Sequence, residues 1–314
     1  MKIKAYVAFV LAVLMCMSLL ACAPIENPGT NSNQTTTTNG DNQNPGNDNQ
    51  TPGNSDDEPP AETGEVKIKF LKVGKSPCTI IRTENKTIVI DAASEDQGSD
   101  LVTYLNEKKV TTVDYLIITN FSKSCIGGVP TLLRAEGITV KEIYEPAYPK
   151  ESSAYTSYKN AVAAAALTPK KITEGLSIEA DELKITCFTP QKQYGSMADE
   201  NDEGNSVALS IVHNDVKFLY TSRIAGDRVN EVISQIGDNK YNLITVPNYG
   251  IYDAKYDALF TATGAKNAVI FASTKNPPEV GTTGALDSAK ISYLVTRDGG
   301  IEARSNGTEL TIKQ

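Results

Sequence analysis

The chain has 314 residues, with 30 Lys or Arg against 38 Asp or Glu for a net charge of −8, and 40% of its residues are hydrophobic. That apolar share is enough for a sizeable core, while the acidic excess argues against the positive surface that non-specific nucleic-acid binding needs. A single histidine, His213, excludes a metal site built on several imidazoles.

The N-terminus reads as an address. Met1-Lys2-Ile3-Lys4 is basic and the run from Ala5 to Leu20 is apolar, the pattern of a secretory signal. The run is shorter than the ~20 residues that a membrane span needs. Leu19-Leu20-Ala21-Cys22 resembles the bacterial lipobox, which implies a lipoprotein signal peptide over residues 1–21, cleavage before Cys22 and acylation of its thiol. The expected location is the extracytoplasmic face of a bacterial membrane, with membrane lipid as the first partner through the acylated Cys22; several chains are needed because one alone binds marginally. Residues 22–63 are mainly Asn, Thr, Gly, Pro and Asp, a composition that cannot offset ordering entropy by burial, and are expected to form a disordered tether. Residues 1–63 hold two basic and seven acidic residues, so residues 64–314 carry 28 basic against 31 acidic, a net of −3. Cys78, Cys125 and Cys187 remain in that domain; at most one disulfide can form among the three.

Along residues 64–314 the periodicities alternate between strand and helix. Val66, Ile68 and Phe70 mark a period-two strand. Thr79 to Arg82 and Thr87 to Ile90 read as a hairpin across Glu84-Asn85-Lys86. Leu101, Val102 and Leu105 have helical spacing, and Val113 to Thr119 is apolar enough for a strand buried on both faces. A polar loop, Asn120 to Cys125, then closes on Gly127-Gly128 before a helix over Val129 to Glu136. A strand at Val140 to Tyr144 and a helix from Tyr155 to Leu167, stopped before Pro169, follow. Strands are expected at Leu183 to Phe188, Val207 to Val212, Val216 to Thr221, Leu243 to Val246 and Ala268 to Phe271, with helices marked by Val229 to Ile236 and by Tyr256 to Phe260. His213 is placed at an exposed hairpin turn. Ile291 to Val295 and Ile301 to Ala303 read as a closing hairpin through Asp298-Gly299-Gly300. Two β-rich halves, each followed by helices, predict an α/β (α+β) fold with two sheets face to face and helices outside.

The order of short motifs carries a resemblance. Phe70-Leu71-Lys72-Val73-Gly74-Lys75, Ile88-Val89-Ile90-Asp91-Ala92, Asp114 to Thr119, Asn205-Ser206-Val207, Phe218 to Arg223 and Pro247-Asn248-Tyr249-Gly250 follow one another as in the metallo-β-lactamase superfamily, and most closely as in the extracellular domain of ComEC-type DNA-uptake proteins. The resemblance implies a four-layer αβ/βα sandwich. It also places the family's metal ligands at Asn120, Ser122, Ser124, Cys125, Arg223 and Asn248, none of them a His or a carboxylate. Amides and hydroxyls are weak neutral ligands, one thiolate does not hold zinc alone, and a guanidinium sets a permanent cation where a cation would bind. The expectation is therefore no metal, no cofactor and a non-catalytic binding or accessory module. The alternative is a metal-dependent hydrolase, phosphodiesterase- or nuclease-like, with an atypical site.

The resemblance gathers Lys75, Lys123, Arg223 and Asp91 around the vacated position as a candidate pocket for a small anionic ligand; a protein partner is the other expectation. The competing reading has Arg223 filling the space and pairing with Asp91 or with the acidic loop Asp199 to Glu203. Cys125 lacks a histidine base for nucleophilic work, and a bridge to Cys78 stays open because both loops are expected at one edge. Tyr148, Tyr155, Tyr158, Tyr249 and Tyr252 are available to rim a groove.

Overall fold

The structure, a computed structural model, describes residues 64–195 and 201–314. The expected signal peptide, Cys22, the linker and Asp199 lie outside the described residues. The chain divides into two units, Met1–Asp57 and Glu58–Gln314, and every described residue belongs to the second.

Its elements run β1 (Val66–Phe70), β2 (Thr79–Arg82), β3 (Thr87–Ile90), α1 (Gly98–Glu107), β4 (Thr112–Ile117), α2 (Lys123–Ile126), α3 (Val129–Leu133), β5 (Thr139–Glu145), α4 (Ser153–Ala164) and β6 (Lys170–Lys171). Then come β7 (Ser177–Ala180), β8 (Leu183–Phe188), β9 (Ala208–His213), β10 (Val216–Tyr220), α5 (Asp227–Ile236), β11 (Leu243–Thr245), α6 (Tyr256–Thr263), β12 (Asn267–Ile270), α7 (Val280–Ser288), β13 (Ser292–Val295), β14 (Ile301–Ser305) and β15 (Leu310–Lys313). One sheet is ordered β15-β14-β1-β2-β3-β4-β5-β6 and the other β13-β12-β11-β10-β9-β8-β7. Strand alternation sends Ile68, Ile88, Ile90, Ile185, Leu209, Ile211 and Phe218 into a core between the sheets. Val89, Val113, Leu116 and Ile118 face α1, α3 and α4 on one side, and Leu219, Ile244 and Ile270 face α5, α6 and α7 on the other. The layers are therefore αβ/βα, the four-layer sandwich of metallo-β-lactamase type. With three apolar clusters of its own, the Glu58–Gln314 unit meets the requirement for folding alone.

Local chemistry explains the elements that position the site. Parallel β3, β4 and β5 need crossovers, and α1 and the α2–α3 pair supply them. The α4 helix starts where the Ser152 hydroxyl accepts the Tyr155 N–H at 3.1 Å. Phe70 meets Phe218 and Phe271 edge-on at 5.8 and 6.0 Å, closing the inter-sheet core near the site. Arg228, fully buried on α5, donates to the Phe188 carbonyl at 2.5 Å and the Ser206 carbonyl at 3.1 Å, tying the end of β8 to the loop that enters β9.

Two expectations are corrected. The closing hairpin does not form: β13 runs parallel to β12 in one sheet, while β14 pairs antiparallel with β1 in the other, from Val66↔Ser305 to Phe70↔Ile301. Each strand covers a sheet edge that a mutual hairpin would leave bare, so Asp298-Gly299-Gly300 crosses between sheets rather than turning within one. His213 is buried, not at a solvated turn; its Nδ1 lies 2.9 Å from the Ser305 hydroxyl of β14, and burial holds its pKa below the usual imidazole value. The strands β6, β7 and β15 and the helix α7 carry too little apolar periodicity to be read from sequence.

Candidate functional site

The site forms where β3 and β4 end. Asp91, fully buried with a φ of 55°, accepts the Thr119 N–H at 2.9 Å, the Thr119 hydroxyl at 2.7 Å and the Tyr220 hydroxyl at 2.9 Å. Its own N–H donates to the Ile117 carbonyl at 2.9 Å, so the two strand ends are stapled together. Removal from water pushes the Asp91 carboxyl up to about 6, against the pull of these donors.

From Asp91 the hydrogen bonds run outward in one direction. The Thr119 hydroxyl is spent on the carboxylate, so it accepts from the Ser222 hydroxyl at 2.6 Å. Ser222 in turn accepts the Asn120 amide N–H at 2.9 Å, and Asn120 Oδ1 accepts the Ser122 backbone N–H at 3.0 Å. Ser122 and Ser124 share a hydrogen bond at 3.0 Å, and the Ser124 hydroxyl bonds the Tyr249 hydroxyl. The Tyr249 ring lies under the Arg223 guanidinium at 5.1 Å and the Lys75 ammonium at 5.6 Å.

Arg223 is fastened at several points. It ion-pairs with Glu203, lies 3.8 Å from Asp202, and reaches the Asn248 amide oxygen at 3.5 Å. Asp202 is held by the Tyr148 hydroxyl at 2.6 Å and the Lys150 ammonium at 2.9 Å, and Tyr148 accepts the Phe121 N–H at 2.6 Å. Burial works against the Arg223 charge, but Tyr249, Glu203 and Asp202 outweigh it and raise its pKa.

These contacts place each sequence-derived residue. Asn120, Ser122, Ser124, Arg223 and Asn248 belong to one contiguous network, and Cys125 is fully buried behind it with its backbone carbonyl on the Ala92 N–H at 2.8 Å. Arg223 pairs with the acidic loop through Asp202 and Glu203, whereas the oxygens of Asp91 are taken by Thr119 and Tyr220. Exposed Lys123 lines a groove of about 950 Å³ with Glu95, Asp96 and Arg134, and Lys75 stands over Tyr249. The tyrosines do not rim a groove together: Tyr158 is fully buried, Tyr155 packs on Phe121 at 4.7 Å, Tyr148 and Tyr249 are internal to the network, and Tyr252 alone of the five is exposed. Cys78, Cys125 and Cys187 are all free and buried. Burial first, and then the Asp91 charge, lifts the Cys125 pKa well above that of an ordinary thiol, so it is neither a ready nucleophile nor a ready ligand.

Sequence reasoning missed Ser222, Tyr220 and the bridging role of Tyr249. Ser222 had a signal. It is a non-glycine residue at a φ of 54°, a left-handed position next to Arg223 that glycine ordinarily takes.

The donor set does not suit a catalytic metal ion. Carboxylate and imidazole are missing from the six positions, the amides and hydroxyls are committed to one another, and the guanidinium is clamped by two acids. Among the described residues no group of three or more His, Cys, Asp or Glu is placed to hold a metal ion.

No protein-family model matches the sequence, and no curated protein does. Solved structures do match. Unliganded PDE1 from yeast superposes with a TM-score of 0.52 at 9% identity, covering 73% of this chain and 97% of its own. YhfI from Bacillus subtilis, described as a metallo-β-lactamase fold protein, gives 0.48 at 13% identity over 74% of this chain and 98% of its own. Zn-bound PqqB from Methylobacterium extorquens gives 0.48 at 12% identity over 76% and 99%. At such identities the likeness is one of fold alone.

Proposed function

We propose that this chain is a membrane-anchored extracytoplasmic lipoprotein whose metallo-β-lactamase-type domain is a non-catalytic binding or accessory module. The observation that carries the reading is the interlocked network from Asp91 to Arg223. A dinuclear hydrolytic centre needs several anionic or imidazole donors converging on a shared water. Here the same loops converge on hydrogen bonds among Asn120, Ser122, Ser124, Ser222 and Tyr249 and on an Arg223–Glu203–Asp202 ion cluster. The loops keep the scaffold of the fold while their polar groups satisfy one another.

The test is direct. Domain purified after exposure to zinc and manganese is expected to carry no stoichiometric metal and to leave a phosphodiester such as bis-p-nitrophenyl phosphate intact, before and after Cys125→Ala. Stoichiometric metal with turnover would favour the alternative, a phosphodiesterase- or nuclease-like hydrolase related to DNA-uptake proteins. Anchoring is checked separately: Cys22→Ser is expected to move the protein from the membrane fraction to the soluble one.

A further inference from the structure

A cavity of about 320 Å³ opens where the chain crosses from β6 of one sheet to β7 of the other, and of the network from Asp91 to Arg223 only Tyr148 lines it. Its floor is the inter-sheet core itself: Ile172 and Val207, 2% and 1% exposed, belong to that cluster. Pro146 and Pro190 add walls that carry no N–H. An apolar floor with a few polar groups at the mouth is the pattern of a small-molecule site, and the volume stands at the lower end of such sites.

The walls are fixed by hydrogen bonds. The Asn205 amide accepts the Tyr194 N–H at 3.0 Å and donates to the Tyr194 carbonyl at 2.6 Å, clasping the segment that carries Lys192 and Gln193. The Tyr194 hydroxyl donates to Glu231 of α5 at 2.6 Å, and on the other side the Ile172 N–H donates to the Glu145 carbonyl at 2.8 Å. The cavity is therefore formed before any ligand arrives, which lowers the cost of binding.

Two opposite charges stand at the mouth. Exposed Glu174 is positioned by neutral donors: the Thr189 N–H at 3.2 Å and hydroxyl at 2.5 Å reach Oε2, and the Gln235 amide reaches Oε1 at 3.1 Å. Oε1 thus accepts one bond, where a carboxylate oxygen has room for two. Three residues beyond Thr189, the exposed Lys192 ammonium lies over the Tyr194 ring at 5.0 Å, a contact with a ring face that leaves N–H groups to donate elsewhere. A ligand that meets all three features carries an ammonium for Glu174, a carboxylate for Lys192 and an apolar body for the floor.

We propose that this cavity binds a small zwitterion with an apolar side chain, the chemistry shared by free α-amino acids and short apolar peptides. None of the six resembled metal positions lines it, so this proposal and the non-catalytic reading stand or fall separately. The Glu58–Gln314 unit is titrated by calorimetry with L-leucine and with leucyl-leucine. L-leucine binding as well as the dipeptide or better assigns the site to free amino acids; tighter binding of the dipeptide assigns it to peptides. The N-acetyl and C-amide forms of the better ligand each remove one charge and are expected to bind about tenfold more weakly. Glu174→Gln is expected to weaken the zwitterion about tenfold and to leave the N-acetyl form unchanged, because that form has no ammonium to lose a partner. Lys192→Gln is expected to weaken the zwitterion to a similar degree and to leave the C-amide form unchanged. A damaged fold would weaken every probe alike, so the crossed pattern separates recognition from misfolding. No binding of L-leucine or leucyl-leucine, or zwitterion binding that both variants leave intact, overturns the proposal.

Discussion

Asp91 shows how a polar network can be both satisfied and costly. Its carboxylate accepts three hydrogen bonds, yet burial raises its pKa to about 6. The unfolded value is about 3.9, so between these pH values the folded state binds a proton that the unfolded state has lost. Stability from this group is complete below about pH 4 and is lost as pH rises through about 6, by on the order of 3 kcal/mol. Asp91→Asn removes the titration. The wild-type advantage over the variant in urea unfolding is therefore expected to be larger at pH 4.5 than at pH 7.5, and an advantage that does not change with pH would refute the assignment. At this scale the sequence was only half legible. The motif order pointed to Asn120, Ser122, Ser124, Arg223 and Asn248, because strand ends and loop lengths fix where such positions fall. Hydrogen-bond partners did not follow, since the partners of Asn120 and Ser124 are Ser222 and Tyr249, about a hundred residues or more along the chain, and nothing local encodes such pairs.

At the scale of elements, the junction of α2 and α3 explains what holds the Asn120–Cys125 loop in place. A Cβ on Gly128 would lie 2.0 Å from the Ala92 carbonyl oxygen and 2.9 Å from the Gly98 Cα, both backbone atoms. A Cβ on Gly127 would meet the Glu95 N and the Lys123 O at 2.5 Å. The Gly128 N–H donates to the Ala93 carbonyl at 3.1 Å, so the loop after β3 and the helix pair after β4 touch main chain to main chain. Gly128→Ala is expected to cost at least about 3 kcal/mol, in the range reserved for overpacking and backbone strain; equilibrium unfolding of the variant measures it, and a cost below about 1 kcal/mol would show that the loop can yield. Gly-Gly was visible in the sequence, and so were elements with strong patterns, such as β8 at Leu183–Phe188. The hairpin misjudged at Ile291 to Ala303 has a physical cause. Period-two alternation and a Gly-Gly turn specify two strands but not their partners, and the sheet edges waiting at β12 and β1 decide the pairing.

Across the whole molecule, the three thiols report on different layers. Cys78 lies in the apolar cluster between one sheet and its helices, Cys187 in the core between the sheets, and Cys125 behind the Asn120–Ser124 network. Burial lifts all three pKa values, Cys187 to about 12, and the Asp91 charge adds to the effect at Cys78 and Cys125. Thiolate is the reactive form, so the native protein is expected to resist alkylation at every position. The more informative quantity is the order in which the thiols react as denaturant is added. If the outer layers were held independently, Cys78 would react before Cys187. The sheets argue otherwise: β14, near the C-terminus, lies beside β1, the first strand, and the Val207 N–H that leads into β9 donates to the Thr119 carbonyl of the opposite sheet at 2.9 Å. Opening either layer therefore breaks pairings that close the other. Pulsed iodoacetamide labelling read by mass spectrometry should give one common rate for the three cysteines, equal to that of global unfolding, whereas early labelling of Cys78 or Cys125 alone would show that the helical layer over the Asp91–Tyr249 network opens by itself.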